Sequence, residues 1–226
     1  MPGFTQTASS WDGVLAALDD DTRATATAIS VPTRPTFALT AQAIGAASGA
    51  ATYIGYSMGG RLCLRLALDH PELVRALVLV SASAGIADAT ERAARQEADE
   101  QLAREVETVG VESFVDRWLA QPMWATVPLD APGLSDRRTL TSEFLAHCLR
   151  VLGTGTMEPL WDRLGDLAMP VTLITGTDDT KFTAIAREML RALPSDARHI
   201  ELPGGHAVPL EQPNRLAVEV RSAAHR

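Results

Sequence analysis

The chain has 226 residues, 46% of them hydrophobic, a formal net charge of −8 and a pI near 5.1. That length suits one α/β domain or a core carrying an insertion, with enough apolar residues for a sizeable interior. The acidic balance, with no basic cluster against it, excludes a nucleic-acid binder, and no apolar run reaches the ~18 residues that a membrane span needs.

No charged segment leads into a short apolar one as in a secretory leader, so the sequence predicts a cytoplasmic protein. Of the 20 basic residues only Lys181 is lysine, an arginine bias that reads first as genome composition. Cys63 and Cys148 sit in helix-like runs without metal-ligand spacing, which predicts buried free thiols. Residues 1–7 read as loop, and Ser9 or Ser10 is placed to cap a helix over Trp11–Leu18. Thr22–Ile29 alternates as a strand and is followed by the breakers Pro32 and Pro35. Phe37–Ala47 reads as a helix ending at Ser48-Gly49. A short apolar run, Ala51–Ile54, then leads into Gly55-Tyr56-Ser57-Met58-Gly59-Gly60 and a helical run over Arg61–Leu68.

His70-Pro71 stops that helix. Arg75–Ser81 is continuous and rich in β-branched residues, as expected of a strand buried on both faces of a parallel sheet. The alternation then ceases: Ala89–Val109, Val111–Leu119 and Ser135–Leu152 all read as helices. Strand–helix alternation resumes with Pro170–Thr175, Ala184–Leu193, Arg198–Leu202 and Asn214–Ala223. The pattern predicts a doubly wound α/β core in two parts, 1–87 and 166–226, with a helical lid inserted over 88–165.

Three polar groups fall just after strands, at the edge where ligands sit in open α/β sheets. Ser57 lies in a G-x-S-x-G turn between strand and helix, where small residues let the two approach and the hydroxyl stands clear of the sheet. Gly176-Thr177-Asp178-Asp179 and Gly204-Gly205-His206 follow later strands. Each alone has a plain alternative: a tight turn, a helix cap, a surface histidine. The order Ser57…Asp179…His206 is that of a nucleophile, an acid and a base on this kind of sheet.

On these residues the chain resembles the α/β-hydrolase superfamily over essentially its whole length. Within it the chain looks most like the menaquinone-pathway 2-succinyl-6-hydroxy-2,4-cyclohexadiene-1-carboxylate synthases. Gly55–Arg61, Glu91–Gln96, Phe114 with Trp118, and Asp179–Phe182 carry the narrower likeness. The resemblance implies Ser57, His206 and Asp179 as a triad that removes a proton and expels pyruvate. It implies Met58 and Phe4 as oxyanion-hole donors. It also implies Tyr56, Arg61, Arg95, Trp118 and Arg150 as contacts to a small, carboxylate-rich substrate, with no metal or organic cofactor. An i,i+4 ion pair of Arg95 with Glu91 or Asp99, and a packing role for Trp118, are the competing readings.

Two departures from the family pattern stand out. Pro2-Gly3-Phe4 opens the chain where a strand and a His-Gly-Phe loop are expected, and Ser30–Arg34 replaces a glycine-rich turn. The first predicts that N-terminal strands are missing. Either Thr22–Ile29 slides across to pair with the elbow strand, leaving Phe4 loose, or an upstream extension restores stability and activity. A serine hydrolase of a small ester or thioester, and a silent binding protein on the same scaffold, are the alternative functions.

Overall fold

The structure is a computed structural model and describes residues 1–18 and 26–225. Among them four strands form one parallel sheet in the order β1 (Ala51–Tyr56), β2 (Val74–Val80), β3 (Val171–Gly176), β4 (Arg198–Leu202). Ile54 stands beside Val78, Leu79 beside Leu173, and Ile174 beside Ile200. All six residues of β3 and all but Arg75 of β2 are buried, as their unbroken apolar sequences require of strands covered on both faces.

Successive side chains of a strand point to opposite faces, and here they feed two different cores. Leu77, Leu79 and Leu173 pack with helices α2 (Phe37–Ser48) and α3 (Met58–Asp69). Val78, Val80 and Ile174 pack with Leu216, Ala217 and Val220 of α8 (Pro213–Ala224), and with Val14 of the short α1 (Asp12–Ala16). The result is a three-layer α/β/α sandwich. Helix α2 starts where Thr36 Oγ1 accepts from Leu39 N–H and ends at Gly49, whose φ of 66° a side chain would oppose.

No strand interrupts residues 81–170. Helix α4 (Ala89–Leu119) is broken at Gly110 (φ 80°, ψ 165°), the junction of the two helices expected there. Ala103, Val106 and Phe114 of α4 make a separate small core with Leu145, Ala146 and Leu149 of α5 (Ser142–Leu152). The single helix expected over Ser135–Leu152 is instead a 3-10 turn, Ser135–Thr139, and then α5. The hydroxyl of Thr141 accepts from Phe144 N–H and restarts the helix there. Helix α6 (Thr180–Ala192) begins four residues ahead of the expected Ala184, because Asp179 caps it; the short α7 is Val208–Glu211.

The expected strand Thr22–Ile29 lies outside the described residues at 22–25, and residues 26–29 are not part of the sheet. The described residues 26–29 form no strand against β1. Met1 pairs with the outer edge of β1 instead: its amine donates to Ile54 O (2.8 Å), and Tyr56 N–H donates to its carbonyl (3.1 Å). Further along that edge, Thr52 and Ile54 line a cavity of about 700 Å³ together with 26–29, Trp11 and Leu18.

Candidate active site

Ser57 caps α3 with φ 51° and ψ −112°, a left-handed backbone that a β-carbon resists. The close approach of strand and helix makes the strain unavoidable. A β-carbon on Gly55 would lie 2.5 Å from Gly59 O, and one on Gly59 would lie 2.5 Å from Pro2 O. The loops after β3 and β4 interlock in the same way. A β-carbon on Gly176 would lie 2.0 Å from Gly205 O, and Asp178 N–H donates to Gly204 O at 2.9 Å.

That interlock brings the acid and the imidazole together. His206 Nδ1 is 2.7 Å from Asp179 Oδ2, and Nε2 is 3.3 Å from Ser57 Oγ. With the carboxylate an acceptor only, Nδ1 carries the proton and Nε2 is left to accept from the serine hydroxyl. Asp179 Oδ1 accepts from Phe182 N–H at 3.3 Å, so the helix-cap reading of this residue holds alongside the other. Asp178 is exposed and points to Thr177. His206 is 4% exposed and lies among rings: Phe182 at 4.5 Å between centroids, Tyr56 at 5.3 Å and Trp124 at 6.2 Å.

Phe4 is anchored, not loose. Its ring meets Trp118 edge-on at 5.0 Å and Phe114 at 6.2 Å. Its turn is closed by Gln6 N–H donating to Gly3 O and by Gly3 N–H donating to Gln6 Oε1, at 3.2 and 3.1 Å. Met58 N–H belongs to the first turn of α3, where amides lack an intrahelical acceptor. Trp118 stacks on Phe114, and its indole N–H is buried without a partner.

The three expected arginines fare differently. Arg61 is buried and donates to Leu152 O (2.7 Å) at the end of α5. Burial, and next the neighbouring Arg95, pull its pKa down to about 10. Arg95 is paired through Nε with Asp99 Oδ1 at 2.8 Å, the competing i,i+4 arrangement; Asp99 Oδ2 is buried and unpartnered. Arg150 is held by Glu100 and Glu107 on the outer side of α4, in a groove with Ala93, Gln96 and Thr156. Two carboxylates pair with its guanidinium there, clamping α4 to α5, and among the described residues none of its hydrogen bonds or ion pairs reaches Ser57, Asp179 or His206.

One arginine escaped the sequence reading. Arg137 is 0% exposed, its Nη1 donates to Thr5 Oγ1 (2.5 Å), and its guanidinium lies 4.8 Å from the centre of the Trp124 ring. Its Nε and Nη2 have no partner, nor have Tyr56 Oη and Gln6 Nε2 nearby. Among the described residues no carboxylate pairs with the guanidinium, and burial pulls its pKa down to about 10. Burial likewise drives the Tyr56 hydroxyl well above its ordinary value, Arg137 opposing this in part. The cluster therefore offers donors and one fixed positive charge to an acceptor-rich group. Nothing in the local sequence separates Arg137 from Arg138, which is exposed and paired with Asp116. Among the described residues no group of three or more His, Cys, Asp or Glu is placed to hold a metal ion, and no helix is long and apolar enough to cross a membrane.

This geometry agrees with what the chain is similar to. The sequence profile of the alpha/beta hydrolase fold matches residues 47–213. A Bacillus subtilis (strain 168) protein, provisionally named as a 2-succinyl-6-hydroxy-2,4-cyclohexadiene-1-carboxylate synthase, is 39% identical over 165 residues. That match takes in 71% of this chain and 60% of the relative, so the chain spans less than two thirds of its length. Among solved structures, MenH from S. aureus superposes with a TM-score of 0.86 at 23% identity, covering 97% of this chain and 90% of its own. The enol-lactonase from Burkholderia xenovorans LB400 gives 0.76 at 20% identity, covering 99% and 89%. The chain belongs to the α/β-hydrolase fold family.

Proposed function

We propose that this chain is an enzyme of the 2-succinyl-6-hydroxy-2,4-cyclohexadiene-1-carboxylate synthase type, eliminating pyruvate from a carboxylate-rich cyclohexene. The observation that carries the reading is Arg137, a buried guanidinium with two free nitrogens, joined to the triad through Trp124. A neutral ester has nothing to set against that charge; a carboxylate accepts from the planar fork in two places. The Bacillus subtilis relative adds support of the same kind.

In this reading His206 Nε2 takes the Ser57 proton as the serine oxygen removes one from substrate carbon. Asp179 fixes the tautomer and offsets the imidazolium charge. Electrons from the broken C–H bond form the new double bond as the C–O bond to the enolpyruvyl group breaks, and the imidazolium's proton passes to that leaving enolate, which becomes pyruvate. Amides of Met58 and Phe4 stabilise the negative charge that develops on oxygen. Arg137 and Arg61 hold carboxylates, with Tyr56, Phe4 and Trp118 shaping the apolar walls, and residues 88–165 serve as the lid. The separation of 3.3 Å between Ser57 and His206 is long for this work, as is common before substrate tightens a site.

Hydrolysis of a small ester is the second reading. It is favoured by the hydrogen-bonded Ser57–His206–Asp179 geometry, which acyl transfer also requires. The same geometry speaks against a silent binding protein. Measuring pyruvate release from the synthase substrate beside cleavage of short p-nitrophenyl esters separates the two. Turnover of the esters alone would overturn the elimination reading.

A further inference from the structure

The loop that carries His206 is held by a carboxylate that the proton-transfer steps do not use. Glu211 Oε2 accepts from Gly205 N–H at 2.6 Å, and Oε1 accepts from Ala207 N–H at 2.9 Å. These two amides flank His206. A single side chain therefore spans the histidine and fixes the peptide on either side of it. The spacing is made by α7: Glu211 N–H donates back to Ala207 O at 3.0 Å, one turn that folds the carboxylate over the loop. Gly204 beneath it has φ 117°, a backbone that favours glycine, and a β-carbon there would also lie 2.6 Å from Glu211 Oε2.

Asp179 grips the ring only at Nδ1, and the ring can still swing about its own side-chain bonds if the backbone shifts. With Ser57 Oγ already 3.3 Å from Nε2, a small displacement of the loop takes the base out of reach. We propose that Glu211 is a positioning residue for His206: it sets the backbone from which the imidazole reaches both Ser57 and Asp179. This inference rests on the triad reading above. A carboxylate is needed because both bonds use acceptors. A glutamine in the same place offers one acceptor and turns an N–H toward the other amide, so two donors face each other.

The test is Glu211→Gln and Glu211→Asp, each read by steady-state kinetics, thermal melting and the low-field proton signal of the His206 Nδ1–H group. Glu211→Gln should lower kcat by about a hundredfold with KM nearly unmoved, and the Nδ1–H signal should broaden or vanish. Glu211→Asp keeps the charge but is one methylene too short to span both amides, so it should resemble Gln. Wild-type kcat in either variant would overturn the proposal. So would a fall in melting temperature and kcat together with the Nδ1–H signal intact, which marks a purely structural role. Should Gln fail to fold, the Asp variant decides by the same measurements. The proton signal needs no substrate, so loss of the elimination reading would leave this result standing.

Discussion

The two loops around His206 and the helical stretch from Ala89 to Leu152 are held by different forces. The loops meet backbone to backbone: Gly176 against Gly204 and Gly205, amide on carbonyl, with no room for a β-carbon. The helical stretch is tied to itself by side chains, through a small core and through ion pairs such as Arg150 with Glu100 and Glu107. Backbone contacts prescribe residue types, since only glycine fits. Side-chain contacts tolerate exchange. The Ser57–His206–Asp179 loops should therefore tolerate fewer substitutions than the helical stretch.

The comparison breaks most severely at the triad itself. Ser57→Ala and His206→Ala should each lower kcat by on the order of 10⁴-fold or more, and the double variant should be little worse than either, because the residues act as a unit. Asp179→Asn should cost less, and Asp178→Asn little, since its side chain points to Thr177. Greater damage from Asp178 in the same assay would reverse the assignment within the pair.

A smaller effect is expected where the helical stretch reaches the site. Arg137→Met should raise KM for a carboxylate substrate roughly ten- to a hundredfold, the loss of a charge-assisted bond worth ~1.5–3 kcal/mol, and should spare a neutral ester. Its melting temperature should hold or rise, because a buried charge without a carboxylate partner is removed. Equal losses on both substrates with a lower melting temperature would mark Arg137 as structural.

Legibility in the sequence divides along the same line. Strands β2 and β3 were readable because burial on both faces demands unbroken apolar runs, whereas β4, with Arg198, His199 and Glu201, is buried only at Leu202. Ser57, Asp179 and His206 were readable because glycine-marked turns place them after strands. Arg150 is expected at the site and is found paired with Glu100 and Glu107, and Arg137 is not distinguished from Arg138 by its sequence. Neither periodicity nor spacing says which of several arginines has its charge left uncompensated; only the three-dimensional list of partners does. Thr141 likewise broke a helix that hydrophobic spacing had run through from Ser135.

The least effect belongs to the outer clamp. Hydrogen bonds from Arg150 and then Arg104 hold the Glu100 carboxyl down to about 2, and Arg150 also lowers Glu107. A folded-state value below the unfolded one gives stability that is complete above about pH 4.5 and is lost as pH falls through about 2. Both groups are solvent-screened, so the effect is small at neutral pH. Melting temperature measured from pH 6 to pH 2 should fall less steeply for Arg150→Ala than for the wild type. Parallel curves would show that the pair contributes nothing.

Asp179 divides its carboxylate: one oxygen starts helix α6 at Phe182 N–H and the other holds the imidazole. The imidazole of His206 is thus moored to the first turn of a helix, and helix ends are among the first parts of a fold to open. Fraying of that single turn would free the acid while the sheet and both cores stay intact. Warming would then silence the protein at a temperature where it is still folded, and cooling would bring the activity back.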